Sequence, residues 1–144
     1  MIQRIQSVYL FLAALCMLGF IFMPTIIYTA GVAPHIEGAI SGVNNIDTPY
    51  YIFLVLEILI ALLSFATIFK FKDLKQQARL CKINILLCFA LIGTILGVWL
   101  TRRSDGATPT LWVVLAFLAV IFLFLALKGI NKDRELLAES NRLR

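Results

Sequence analysis

Between Tyr50 and Leu100 the chain is apolar, then basic, then apolar again, and no other feature restricts its fold as tightly. The basic segment, Lys70 to Lys82, sets Lys70, Lys72, Lys75, Arg79 and Lys82 against one acid, Asp73. Two apolar spans around such a turn form a helical hairpin in a membrane, and the excess of Lys and Arg holds the turn on the cytoplasmic side. Composition excludes a soluble domain of this size: 61% of the 144 residues are hydrophobic, 15% are charged, and the mean hydropathy is +0.94. The net charge of +5 does not indicate nucleic acid, because the basic residues lie in short segments beside apolar runs and form no single basic face.

Four spans are expected. The first covers residues 5–28, where about 20 apolar residues suffice to cross the hydrocarbon core. Val8 to Ile27 is longer than the usual signal-peptide core of roughly 7 to 15 residues, which favours a retained span. Pro24 is placed to kink its outer end. Residues 29–48 carry Gly31, Pro34, Gly38, Gly42 and Asn44-Asn45, the mark of an external loop, in which Val32, Ile36, Ile40 and Val43 leave room for an interfacial turn of helix. The second span covers 49–69, with Pro49 in the first turn, where its missing N–H costs nothing. The third covers 83–100 and the fourth 110–127, joined by a polar loop containing Gly106 and Pro109. The tail, 128–144, is expected to extend the fourth helix and to lie on the membrane or against the basic hairpin. The whole chain is one all-α domain, a four-helix transmembrane bundle with a short cytoplasmic helical tail.

Charge gives the orientation. Of the 13 Lys and Arg, only Arg102 and Arg103 fall on the outer side, so both termini are placed in the cytoplasm. Tyr28, Tyr50, Tyr51, Trp99 and Trp112 fall at one outer boundary, where amphipathic rings prefer to sit.

Few residues invite chemistry. Glu57 is the one ionisable side chain inside a predicted span, and a carboxylate at mid-helix costs about 2.5 to 3.5 kcal/mol on insertion scales. It is therefore the candidate intramembrane polar site, with Gly93, Thr94 and Phe117 expected at its depth. The bland alternative is a glutamate that is hydrogen-bonded or snorkels to the interface. Ala90, Gly93 and Gly97 put small residues on one face of the third helix, which lets two backbones approach closely, either within the chain or between chains. Asn84 is within reach of Ser64 or Thr67. Cys16, Cys81 and Cys88 show no Cys-x-x-Cys spacing and read as small apolar fillers. His35 and Glu37 are too few ligands for a metal. No Ser/His/Asp set, His and Glu cluster or phosphate loop is visible, so neither an enzyme nor a cofactor is expected.

Met1-Ile2-Gln3-Arg4-Ile5-Gln6, Tyr9-Leu10 and Leu12-Ala13-Ala14 resemble the start of a family of small four-helix membrane proteins of unknown function from Bacteroidetes. Phe69-Lys70 to Gln77 and Arg79-Leu80-Cys81 resemble its basic hairpin. Leu125-Ala126-Leu127, Gly129-Ile130, Lys132-Asp133 and Ser140-x-Arg142-Leu143-Arg144 resemble its tail, from which Glu139 and Asn141 depart. The resemblance implies a fold and no activity. Two functions fit these features: an accessory or assembly subunit of a bacterial inner membrane acting by lateral helix association, with lipid, other membrane proteins or itself as partner, and a small proton-coupled transporter using Glu57.

Overall fold

The computed structural model describes residues 3–28, 35–38, 48–70, 73–101 and 107–142. Helix α1 (Gln3–Ile21) is followed by strands β1 (Pro24–Tyr28) and β2 (His35–Gly38), then helices α2 (Thr48–Phe69) and α3 (Leu74–Thr101). Strand β3 (Ala107–Pro109) and a 3-10 turn (Leu111–Val113) lead into α4 (Val114–Arg142). The helices alternate in direction and pack in a ring, α1 on α2, α2 on α3, α3 on α4 and α4 back on α1. One end of the bundle carries the three strands, the other the α2–α3 turn.

The sheet is a departure from the all-helical expectation. The first helix does not reach Tyr28 but closes at Ile21, where Phe22 N–H and Met23 N–H bond back to the carbonyls of Gly19 and Phe20 in tighter i to i−3 geometry. Pro24 then pushes Met23 out of the helical region, and Thr25-Ile26-Ile27-Tyr28 supplies β-branched and aromatic residues suited to a strand. Strand β1 is central, in the order β2-β1-β3, and pairs antiparallel with both neighbours. Ile26 stands opposite Glu37 on one side and Pro109 on the other, and its side chain is fully buried. The external loop thus includes a strand at His35–Gly38 where an interfacial turn of helix was the alternative, and residues 29–34 and 39–47 lie outside the described residues. The loop before the fourth helix likewise holds a strand.

The helix starts also move, most of all those of the third and fourth helices, the fourth beginning at Val114 after the 3-10 turn and not at residue 110. The third helix begins at Leu74, not at residue 83, and takes in most of the basic segment. Asp73 caps it: its Oδ1 accepts from the Gln76 backbone N–H at 3.3 Å, and its carbonyl accepts from Gln77 N–H at 2.9 Å. The lone acid of the segment is therefore a helix cap, and Asp73-x-x-Gln76 is the capping-box pattern that signals it. The fourth helix and the tail are continuous as far as Arg142, as expected of a helical extension. The second helix starts at Thr48 with Pro49 in its first turn, one residue from the expected boundary.

The core is built from every third or fourth residue of each helix. Leu10, Ala13, Met17 and Phe20 of α1 meet Phe53, Ile60 and Ala61 of α2, Cys81, Cys88, Leu91 and Ile95 of α3, and Ala116, Ala119, Leu123 and Ala126 of α4 in one buried cluster. Phe11 and Phe65 meet edge to face across α1 and α2, with ring centroids 6.3 Å apart. The outer surface is as apolar as the inside: Val8, Leu15, Val55, Leu62, Leu86, Phe89, Ile121 and Phe124 are all exposed. Water does not tolerate so continuous an apolar surface, whereas lipid does. Among the described residues three helices are long and apolar enough to cross a membrane, Ile52–Phe69, Leu74–Thr101 and Leu111–Glu139. The apolar part of α1, Ile5–Ile21, is shorter than these.

Candidate functional site

Buried polar side chains concentrate on the seam between α2 and α3. Glu57, Ser64 and Thr67 recur along the inward face of α2, and Gln77 and Asn84 along that of α3, all five within 2% of full burial. Asn84 Nδ2 donates to Ser64 Oγ at 2.6 Å, the expected pairing. Gln77 Nε2 donates to the Thr67 carbonyl at 3.4 Å, and the Thr67 hydroxyl turns back onto the Leu63 carbonyl of its own helix. These bonds tie the hairpin together where the side chains are buried from bulk solvent.

Glu57 stands at the inner end of this seam. Its side chain has no solvent exposure, and neither carboxyl oxygen has a hydrogen-bond partner. The side chain therefore does not snorkel to an interface, and among the described residues no protein group bonds its carboxyl. The residues expected at its depth do not join it: Gly93 and Phe117 are exposed on the outside of the bundle, and Thr94 bonds the Leu91 carbonyl of its own helix. The run of the Gln77 and Asn84 bonds instead brings Glu57 level with the turn Cys88–Leu91.

The small-residue face of α3 points away from the bundle. Ala90, Gly93 and Gly97 are exposed, and a Cβ built on either glycine meets nothing within 4 Å. Among the described residues nothing packs closely against either glycine. Leu86, Phe89, Leu96 and Leu100 flank it and are exposed as well.

A second polar contact, not singled out in the sequence, closes the turn end. Gln6 Nε2 of α1 donates to Asp133 Oδ2 of α4 at 2.5 Å, and both side chains are buried. Gly129 permits the approach, because a Cβ there would stand 2.9 Å from Gln6 Cγ. Gln6 is a polar residue in an apolar run and Gly129 a small one, but only the fold brings positions 127 apart together. Beside this contact the start of α3 and the α4 extension face each other across a groove lined by Asp73, Lys75, Arg134 and Glu135. The tail thus lies against the basic hairpin.

The topology residues Lys70, Lys75, Arg79 and Lys82 are exposed, as a solvated basic end requires, and Lys72 lies outside the described residues. Cys81 and Cys88 are buried on one face of α3, where the Cys81 thiol donates to the Leu123 carbonyl at 3.3 Å. Among the described residues no three of His, Cys, Asp and Glu come together in a way that holds a metal ion.

These features define a small helical membrane protein with a row of buried polar side chains between its helices and a charged, exposed end. The chain belongs to the family described as a domain of unknown function (DUF4293), whose model matches residues 2–143. Neither curated proteins nor solved structures gave a match.

Proposed function

We propose that this chain is a non-enzymatic, multi-pass protein of the inner membrane of a bacterium of the Bacteroidetes, and that it acts as an accessory or assembly subunit by lateral helix association. The observation that carries this is the open glycine face of α3. Gly93 and Gly97 lower the helix surface along one seam, nothing among the described residues fills it, and apolar side chains rim it. A transmembrane helix of another chain fits such a seam, because close backbone approach yields dispersion contacts that lipid tails make less well. Crosslinking in native membranes from a photoreactive residue at Leu96 is the test. A discrete protein neighbour, the chain itself included, is expected; capture of lipid alone would overturn the proposal.

Both termini face the cytoplasm in this proposal, since the exposed basic residues of α3 and the α4 extension share one end of the bundle. Ser41→Cys, in a chain lacking Cys16, Cys81 and Cys88, should react with an impermeant thiol reagent on intact cells, and Gln76→Cys should not. The reverse pattern would invert the orientation.

A second function, a small proton-coupled transporter, is favoured by Glu57, a buried carboxyl with both oxygens unpartnered. Here Glu57→Gln abolishes proton-dependent solute flux in reconstituted vesicles; flux equal to that of the wild type would dismiss it.

A further inference from the structure

We propose that the α2–α3 seam is a proton-access path, leading from the turn between these helices inward to Glu57. Unlike the transport reading it requires no solute flux, only that the Glu57 carboxyl exchanges its proton with solvent.

Three observations converge on it. The first is direction. From Glu57 toward the turn, the seam carries Ser64, Asn84, Thr67 and Gln77, all buried and polar. Toward the sheet, the buried side chains among the described residues of the same two helices are Phe53, Ile92 and Ile95. On the turn side of Glu57 these polar groups are interspersed with Ile60, Ala61, Ala78 and Ile85, whereas on the sheet side the described buried side chains are apolar alone.

The second observation is an excess of unsatisfied acceptors. Asn84 spends its amide on Ser64 Oγ, while its own Oδ1 is buried without a partner, as are both Glu57 oxygens. Buried polar atoms in that state are the usual seats of internal water, which bonds two to four such groups at once. The Ser64 hydroxyl, accepting from Asn84, keeps its own proton to donate along the seam.

The third is the filling of the remaining gap. Ser64 and Glu57 are two helical turns apart, about 10 Å along the axis, a distance that a file of about three waters covers. The buried side chains in that interval are Ile60, Ala61, Ile85 and Cys88, of which Ala61 and Cys88 are small, and the Cys88 thiol is itself a weak donor and acceptor. Among the described residues no charged group is buried beside this interval. The titratable side chains of α3 on this face are Cys81, already bonded to the Leu123 carbonyl, and Cys88. Among the described residues of α1 and α4, the buried polar side chains are Gln6 and Asp133, both at the turn end, and Cys16 and Tyr9 are only partly buried.

Hydrogen–deuterium exchange at Glu57 reads the path directly, since D2O converts the carboxyl O–H to O–D and takes the proton away as HDO. The full chain in lipid nanodiscs is held at a pH where the acid C=O band is present, that band being assigned by its loss in Glu57→Gln. Ser64→Ala and Asn84→Leu, each removing one relay group, should slow the band shift by about tenfold, the effect of losing one buried hydrogen-bonding group. Phe53→Leu, on the sheet side, should leave the rate within about twofold. Unchanged exchange in Ser64→Ala overturns the path, whether or not Asn84→Leu folds; so does equal slowing in Phe53→Leu. Absence at every pH of a band that Glu57→Gln removes overturns both the path and the transporter reading. Seam-dependent exchange without solute flux supports the path and discards the transporter alone.

Discussion

Gly93→Leu combined with Gly97→Leu is expected to abolish co-purification and crosslinking of whatever neighbour the protein holds, while insertion and folding stay intact. The two halves of this result have separate causes. Folding is spared because a side chain at either position enters open space, and because leucine favours a helix over glycine by roughly 0.5 to 1 kcal/mol in aqueous scales. Association is lost because two leucines hold a partner helix away along the whole seam, and dispersion contacts fall steeply with sub-ångström gaps. A loss of at least about tenfold in captured neighbour is expected. Gly19→Leu on α1 is the control, since a Cβ there also meets nothing within 4 Å and leaves α3 untouched. A double variant that folds and keeps every neighbour would sink the association proposal.

Gln6→Leu is expected to destabilise the bundle by about 2 kcal/mol, within the usual cost of leaving a buried hydrogen-bonding group without its partner. The donor it removes is the one reaching Asp133 Oδ2. Gly129→Val should have a similar effect by a different route, because its new side chain would occupy the space of Gln6 Cγ. Since both break one contact, the double variant should fall well short of the sum. Unfolding in mixed micelles measures the stabilities, and limited proteolysis at Lys132 and Arg134 reports whether the α4 extension has come loose. Additive losses, or a tail no more sensitive to protease than in the wild type, would show that Gln6 does not hold α4 in place.

Much of this molecule was legible from local chemistry. Apolar length and composition dictate helices for α2, α3 and α4, because a backbone in hydrocarbon must satisfy its own hydrogen bonds within the segment. Pro49 marks the start of α2, and Asn84, near the basic end of its expected span, is within reach of Ser64 or Thr67 on the facing one. Glu57 stands out as a carboxyl in an apolar run. Two of the boundaries read wrongly even had local signals, Pro24 followed by β-branched residues for the strand, and Asp73-x-x-Gln76 for the start of α3.

What only the tertiary structure decided is which way each face points and what it meets. A helix presents several faces, and periodicity alone does not say whether Ala90, Gly93 and Gly97 look inward or out; the ring of four helices turns them to the lipid side. The strand partners of Ile26, at Glu37 and Pro109, depend on chain closure over long separations, which strand propensity cannot supply. The same is true of Gln6 and Asp133. Whether Glu57 snorkels or stays internal is likewise settled by packing, since its burial depends on the neighbouring helices enclosing the inward face of α2 and not on any residue beside it in the chain.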